Sequence, residues 1–147
     1  MASLGGVEIN GMTIIGRGCR ICVEKDADIV FGERFTANAD TTIICHKRIK
    51  FGADCLLSWD VQVMDSDWHK ITPMDNREKI MTPDREISFG DHVWVGCRSN
   101  ILKGSKIPNN SIIASGSIVT GSLEKENAIY GGQGNGFRLL KGCITWE

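Results

Sequence analysis

The sequence contains no long hydrophobic run. Its apolar stretches extend over only a few residues, far short of the roughly 20 that a transmembrane helix needs. The N-terminus has no basic segment followed by an apolar core, so no cleaved export signal is expected. We therefore predict a single cytoplasmic domain, 1–147, that does not bind membranes.

An excess of charge of one sign is also missing. The chain has 17 basic and 18 acidic side chains and a formal net charge of −1, which gives no broad basic surface for nucleic acid. Proline is scarce, with 3 residues against 17 glycines, and this ratio suits a chain with many tight corners. Nucleic acid is therefore not an expected partner.

The six cysteines carry little sign of a metal or redox centre. Cys19 and Cys22 have the spacing of a redox or zinc pair, but no second such pair and no paired histidines accompany them. Cys19 and Cys55 take small positions of a repeat, where a thiol behaves as a compact apolar group. We predict reduced cysteines, in keeping with the cytoplasm, and no metal site.

A six-residue period runs through the second half of the chain. Each hexapeptide begins with a large apolar residue, and its fifth residue is usually small. The first residues are Phe89, Val95, Ile101, Ile107, Ile113 and Val119. This period fits neither an α-helix nor an alternating hairpin sheet. It is typical of an all-β fold, the parallel β-helix, in which each hexapeptide forms one side of a triangular coil.

The same register extends backwards to Phe31 and, less regularly, to Ile15. About five coils result, each of which buries its aliphatic residues by stacking on its neighbours. The step from Ile43 to Phe51 is eight residues instead of six, which predicts a bulge from one corner at residues 47–50.

Two segments interrupt or end the repeat. The polar insertion 69–88 contains two of the three prolines and predicts a loop that leaves a corner of a coil. Long excursions from a rigid solenoid are usually functional. After Glu124 the repeat ends, and we predict that residues 125–147 cap the open end of the solenoid.

His69 lies where the regular coil gives way to the insertion. A histidine can accept a proton near neutral pH, and Asp65 and Asp67 are close enough in sequence to orient its ring or raise its basicity. We therefore predict that His69 is a general base; the alternatives are a solvated loop histidine and carboxylates that only close a turn through backbone N–H groups. His46 and His92 occupy outward-facing positions, and a surface role is predicted for both.

Several segments resemble the signature of the hexapeptide-repeat acyltransferases. Residues 87–104 and 113–120 carry its repeat motifs, and residues 65–69 (DSDWH) resemble the form found in sugar and polysaccharide O-acetyltransferases. The likeness covers residues 29–146. It implies a left-handed parallel β-helix, usually a homotrimer, that transfers an acetyl group from acetyl-CoA to a sugar hydroxyl. It also implies that His69 is the catalytic base.

Transferred position by position, the resemblance implies further site residues. Coenzyme contacts fall on Trp94, Cys97, Ser115 and Thr120. A packing role for Trp94 and turn roles for Ser115 and Thr120 remain open. Asn38 resembles an asparagine that some sugar acetyltransferases have near the acceptor.

The tail 134–141 resembles the Gly-Asn-Pro-Ala-Lys/Arg ending of the family, which implies that Arg138 and Lys141 meet the phosphates of the coenzyme. Gly136 and Phe137 replace the usual Pro-Ala, and Gly121 stands where many members have a lysine.

Two other functions stay open. A zinc hydratase of the γ-carbonic-anhydrase kind would use His46, His69 and His92, which are evenly spaced, but the paired histidines of that family are missing. A non-catalytic solenoid would have the fold without coenzyme binding. The identity of the acceptor and the length of the acyl chain stay open as well, and Trp59 and Trp68 are candidates either to stack on a sugar or to pack under the loop.

Overall fold

The computed structural model describes residues 5–81 and 83–147, and they form a parallel β-helix. Fifteen strands make five successive coils of three strands each. The first two coils are β1 Gly6–Ile9, β2 Thr13–Ile15, β3 Arg20–Val23, β4 Asp28–Phe31, β5 Phe35–Ala37 and β6 Thr42–Cys45. The next three are β7 Arg48–Lys50, β8 Leu56–Leu57, β9 Gln62–Met64, β10 Ile87–Phe89, β11 Trp94–Val95, β12 Asn100–Leu102, β13 Lys106–Ile107, β14 Ser111–Ile113 and β15 Ile118–Val119. After them come β16 Ala128–Gly131, a 3-10 helix Gly134–Gly136 and β17 Arg138–Gly142.

Corresponding strands of successive coils stack into three sheets. Sheet A consists of β1, β4, β7, β10 and β13; sheet B of β2, β5, β8, β11, β14, β16 and β17; and sheet C of β3, β6, β9, β12 and β15. Strands of neighbouring coils pair in parallel, whereas β17 pairs antiparallel with β16. Each coil therefore has three corners: the A–B corner follows sheet A, the B–C corner follows sheet B, and the C–A corner leads into the next coil.

The core has the composition that the six-residue period predicts. From Phe31 to Val119 the first residues of the hexapeptides are buried, as Val63 and Ile101 illustrate, whereas Ile15 in the opening coil is exposed. Most fifth residues are buried too, and the serines among them bond to nearby carbonyl oxygens: Ser105 Oγ donates to Leu102 O at 2.6 Å and Ser117 Oγ to Ala114 O at 2.5 Å. A buried hydroxyl is tolerated when it is bonded in this way. The predicted all-β solenoid and its repeat register are confirmed.

The residues around position 48 correct one expectation. They form β7, with Ile49 in register with Ile29 below and Ile87 above, and Ile49 is fully buried. The predicted bulge at 47–50 is therefore wrong. The two additional residues continue the inward and outward alternation along sheet A, so this coil buries both Ile49 and Phe51. The neighbouring coils bury corresponding pairs, Ile29 with Phe31 and Ile87 with Phe89.

The insertion leaves the C–A corner of the third coil between β9 and β10. Its two arms run antiparallel, with isolated bridges between Ser66 and Asp84 and between Ile71 and Met81. The arms thus return the chain to the edge it left, and β10 begins at Ile87. The apolar side chains of Ile71, Met74 and Met81 are exposed.

At the carboxyl end, β16 extends sheet B beyond β14 and β17 folds back on it. The rings of Tyr130 and Phe137 stack in parallel with centroids 6.3 Å apart, and Phe137 packs against the core cluster. The Tyr130 hydroxyl donates to Lys125 O and accepts the Lys125 N–H, each at 2.8 Å. None of the described residues forms a helix with the length and apolar character that crossing a membrane requires.

Candidate active site

His69 lies at the C–A corner of the third coil, where the chain leaves β9 and enters the insertion. Its side chain is exposed, and its imidazole has no hydrogen-bond partner among residues 5–81 and 83–147. An exposed imidazole of this kind is available to accept a proton from a bound molecule.

Asp65 is fully buried and binds the preceding coil. Its Oδ1 accepts the N–H of His46 at 2.7 Å, and its Oδ2 accepts the N–H groups of Lys47 and Arg48, both at 2.8 Å. These donors belong to the C–A corner of the second coil. The carboxylate therefore connects the C–A corner of the third coil to that of the second by hydrogen bonds. An orienting role toward His69 stays a prediction.

The same carboxylate affects a neighbouring thiol. Cys45 is buried, and its Sγ lies 3.8 Å from Asp65 Oδ2. Burial is the main cause, and the charge of Asp65 the second, that raises the pKa of the Cys45 thiol to about 12. The thiol therefore stays protonated at neutral pH and is not a nucleophile.

Asp67 binds in the opposite direction, toward the following coil. Its carboxylate forms an ion pair with Lys103, and its N–H donates to Pro83 O at 3.0 Å. Thr120 follows β15 on the same C–A corner of the fifth coil. Together with Arg85, these side chains line a cleft of about 370 Å³. The cleft lies on the side of the solenoid that carries His69.

A second group of predicted residues follows sheet B. Cys97 and Ser115 come after β11 and β14, at the B–C corners of consecutive coils, and Cys97 Sγ donates to Ser115 Oγ at 3.4 Å. Trp94 lies on β11, and its Nε1 donates to Ser58 Oγ at 2.9 Å. Asn38 follows β5 on the same edge, two coils nearer the N-terminus.

The predicted site residues thus occupy two different edges of the triangular coil. His69, Asp67 and Thr120 follow sheet C, whereas Trp94 and Cys97 lie on or follow sheet B. A strand of sheet C separates the two edges in every coil. One copy of the chain does not bring these two groups together.

The predicted phosphate contacts lie on the last strand. Arg138 and Lys141 are exposed on β17, which continues sheet B beyond the coil that carries Ser115. Phe137, one of the residues that depart from the Pro-Ala pattern, is partly buried against the core. Gly121, the other departure, has a φ of +79°, a conformation that a lysine would adopt only with strain.

Trp146 is a residue that the sequence pattern did not single out as part of a site. Its ring stacks on His92 with centroids 4.1 Å apart, its Nε1 donates to His92 O at 3.0 Å, and it lies 6.0 Å from the ring of Trp94. His92 Nε2 lies 2.8 Å from Trp146 O. The tail therefore covers the A–B corner beside Trp94. The only signal for Trp146 in the sequence was that it is an aromatic residue that follows the repeat.

The two histidines for which a surface role is predicted both pack against a tryptophan ring. His92 is half-buried against Trp146, and His46 is half-buried with its ring 4.8 Å from that of Trp68. Among the described residues, no group of three or more His, Cys, Asp or Glu side chains is arranged to hold a metal.

A cleft of about 450 Å³ opens beside the Trp146 ring and is lined by Arg34, Asp54 and His92. Arg34 donates from Nε and Nη2 to the Asp54 carboxylate at 2.5 and 2.8 Å. This hydrogen bonding is the main reason that the pKa of Asp54 is lowered, and partial desolvation opposes it. The same contacts raise the pKa of Arg34, so both groups are charged near neutral pH.

No protein-family model matches the chain. The polysialic acid O-acetyltransferase of Neisseria meningitidis is 34% identical over 67 residues, which is 46% of this chain and 31% of that protein. The polysialic acid O-acetyltransferase of Escherichia coli O1:K1 / APEC is 29% identical over 127 residues, 86% of this chain and 40% of that protein. The chain spans less than two thirds of the length of these curated relatives.

Solved structures give the fold comparison. A maltose O-acetyltransferase from Clostridium difficile 630 superposes with a TM-score of 0.73 at 26% identity, over 98% of this chain and 72% of that chain. A hexapeptide-repeat acetyltransferase from Vibrio cholerae O1 biovar eltor, complexed with acetyl coenzyme A, superposes with a TM-score of 0.75 at 19% identity, over 95% and 72%. The predicted left-handed β-helix is thereby confirmed. By its repeat, its fold and these relatives, the chain is similar to the hexapeptide-repeat acyltransferases, among them sugar and polysaccharide O-acetyltransferases.

Proposed function

We propose that the chain is a CoA-dependent O-acetyltransferase that moves an acetyl group from acetyl-CoA to a hydroxyl of a sugar or polysaccharide precursor. The observation that carries the proposal is the exposed imidazole of His69 at the one long interruption of an otherwise regular solenoid. The relatives named as polysialic acid O-acetyltransferases support the sugar class of the acceptor.

The proposed reaction is a direct transfer in a ternary complex. His69 takes the proton of the acceptor hydroxyl while that oxygen attacks the thioester carbonyl. The tetrahedral species collapses by breaking the carbon–sulfur bond, and the thiolate of CoA leaves and takes the proton that His69 had accepted. Backbone N–H groups near the corner stabilise the oxyanion. No covalent acyl-enzyme is needed.

The distribution of the site over two edges supports an oligomeric enzyme, and we expect a homotrimer. In the trimer, His69 on the C–A corner of one copy faces sheet B of the next, where Trp94 lies on β11 and Cys97 and Ser115 follow on the B–C edge. The coenzyme then occupies the groove between copies. Exposed apolar side chains on the insertion, such as Met74, suit a segment that reaches a neighbouring copy.

The order of residues along the B–C edge supports an orientation for the two substrates. Arg138 and Lys141 lie at the carboxyl end of sheet B, where their charges suit the phosphates of the coenzyme. Asn38 lies on the same edge, nearer the N-terminal end. The acceptor therefore enters from the N-terminal side, and the two substrates meet at the coil of Trp94.

An acceptor screen tests the function. Purified protein is mixed with acetyl-CoA and methyl β-galactoside, maltose or oligosialic acid, and released thiol is measured. We expect acceptor-dependent thiol release. If calorimetry finds no CoA binding to an intact oligomer and no acceptor is acetylated, the chain is a non-catalytic solenoid. Stoichiometric zinc with hydratase activity would favour the second alternative.

A substitution and a mixing experiment test the role of His69 and the shared site. His69→Ala is expected to lower kcat by about 10²–10⁴-fold without unfolding the protein. Co-refolding His69→Ala with Trp94→Ala subunits should restore activity, because a site that takes histidine from one copy and tryptophan from the next is intact in about a quarter of cases after random mixing. No recovery in verified mixed trimers would contradict a site shared between copies.

A further inference from the structure

The pair formed by Trp68 and His46 is an exposed aromatic surface beside His69. The two ring centroids are 4.8 Å apart and the ring planes are tilted by 47°. The indole therefore packs against the imidazole, yet the Trp68 side chain is still 55% exposed. We call this pair the Trp68–His46 shelf.

The backbone holds Trp68 in an unfavourable conformation. Its φ is +65°, a region that bulky residues rarely adopt. Its N–H donates to Ser66 Oγ at 2.9 Å, and Ser66 is itself buried. Strain of this kind persists only where the surroundings enforce it, and it is concentrated at functional sites.

The residues on either side fix the turn further. Ser66 bridges to Asp84 on the returning arm, and the Asp67 N–H donates to Pro83 O. The Asp67 carboxylate is bound to Lys103 of the next coil. The indole is thus an exposed apolar plate on an anchored turn, and little conformational entropy is lost when a ligand binds it.

His46 contributes its ring, and not a hydrogen bond from Nε2, to the contact with Trp68. Its Nε2 is buried and has no hydrogen-bond partner among residues 5–81 and 83–147. An unpaired buried nitrogen carries an energetic penalty that a phenyl ring would not. The position of His46 is better explained by packing that holds the Trp68 ring in place than by a role in proton transfer.

We infer that the Trp68–His46 shelf binds the apolar C–H face of a pyranose ring of the acceptor, with His46 as the positioning residue. The inference rests on the proposed function and names a binding surface for its acceptor. A sugar ring has a C–H face that complements an aromatic plate, and its hydroxyls lie at its rim. Since His69 is the next residue, with its Cα about 3.8 Å from that of Trp68, a ring on the shelf presents a hydroxyl near the proposed base.

Steady-state kinetics with the best acceptor of the screen test the shelf. Trp68→Ala should raise the KM for the acceptor about ten-fold, the upper end of what an aromatic contact supplies. The KM for acetyl-CoA and kcat at saturating acceptor should stay within about two-fold, since the lost interaction is one of binding only. Trp68→Phe should keep most of the affinity, and Glu78→Ala, a change of an exposed side chain in the same insertion, is the matched control.

The positioning role of His46 has its own readout. His46→Ala should raise the acceptor KM in the same direction as Trp68→Ala, whereas His46→Phe, which keeps a supporting ring, should restore it. A merely structural role would lower the melting temperature in both variants and leave the ratio of the two KM values unchanged.

Saturation-transfer NMR with maltose or methyl β-galactoside separates this inference from the proposed function, because it needs no turnover. Selective saturation of ring protons on one face, lost in Trp68→Ala, supports the shelf even if no acetyl transfer occurs. No sugar contact in wild type, an unchanged acceptor KM in Trp68→Ala, or dissociation of the oligomer in that variant overturns it.

Discussion

Replacing Asp65 by alanine tests how the coil that carries His69 is fixed to its neighbour. The carboxylate is fully buried and accepts N–H groups from His46, Lys47 and Arg48 at 2.7, 2.8 and 2.8 Å. These hydrogen bonds connect residues 17 to 19 positions apart and are part of what holds the C–A corner of the second coil in shape.

The expected loss follows from these bonds. Each hydrogen bond to an ionised group contributes about 1.5–3 kcal/mol to the free energy of unfolding. A buried donor that is left without a partner lowers this free energy by about 1–3 kcal/mol. The corner is partly exposed, so water replaces some of the lost bonds in the variant. We therefore expect Asp65→Ala to lower the free energy of unfolding by about 3 kcal/mol, near the lower end of these sums. Asp65→Asn should lower the free energy of unfolding by less, because the amide oxygen of asparagine still accepts a hydrogen bond. Some loss remains, since the NH₂ group then faces backbone N–H donors.

Urea unfolding at fixed protein concentration measures the effect, with Asp67→Ala as the matched control. Asp67 is partly exposed in its pair with Lys103, and such a pair contributes about 0–1 kcal/mol. A loss of less than about 1 kcal/mol for Asp65→Ala, with an unchanged slope, would refute the reasoning. If Asp65→Asn instead shifts the pH profile of kcat while the protein stays stable, the carboxylate orients His69.

Two further predictions concern titrating groups. At pH 8 in native protein, the exposed Cys143 should react with a thiol reagent, whereas Cys45 and Cys55, whose thiol pKa values burial raises to about 12, should react only after unfolding; rapid labelling of all of them would contradict this. The Asp54 pKa is lowered chiefly by its bond to Arg34, so its contribution to stability is present above the unfolded pKa and is lost as pH falls through the lower folded value. In Arg34→Ala the Asp54 pKa, followed by carboxyl NMR, should rise toward its ordinary value, and an unmoved pKa would show that another group sets it.

The repeat could be predicted from the sequence because its signal is local. An apolar residue such as Ile101 recurs at a fixed spacing, and any coil built on that spacing must bury it. The prediction failed at residues 47–50 because a two-residue change of length can be absorbed either by a bulge or by one more inward-facing position on the sheet. Burial of Ile49 in register with Ile87 shows that the chain takes the second course.

The candidate site was predictable only in part. His69 was identified by its position at the interruption of the register, and the coenzyme contacts were implied by resemblance. The contacts of Asp65 with His46 and of Trp146 with His92 were not predictable, since the latter pair lies 54 positions apart in the sequence. Which side chains meet at a corner depends on the length of every coil between them.

The sequence by itself determined the architecture, the buried positions and the histidine at the break, because a six-residue period encodes them in short segments. Only the tertiary structure decided the partners of the polar side chains. Asp65 fastens the preceding corner, Asp67 binds the following coil, and Trp68 lies exposed on His46. Stacking brings side chains from different coils within bonding distance, and their pairing depends on the accumulated geometry of the coils between them.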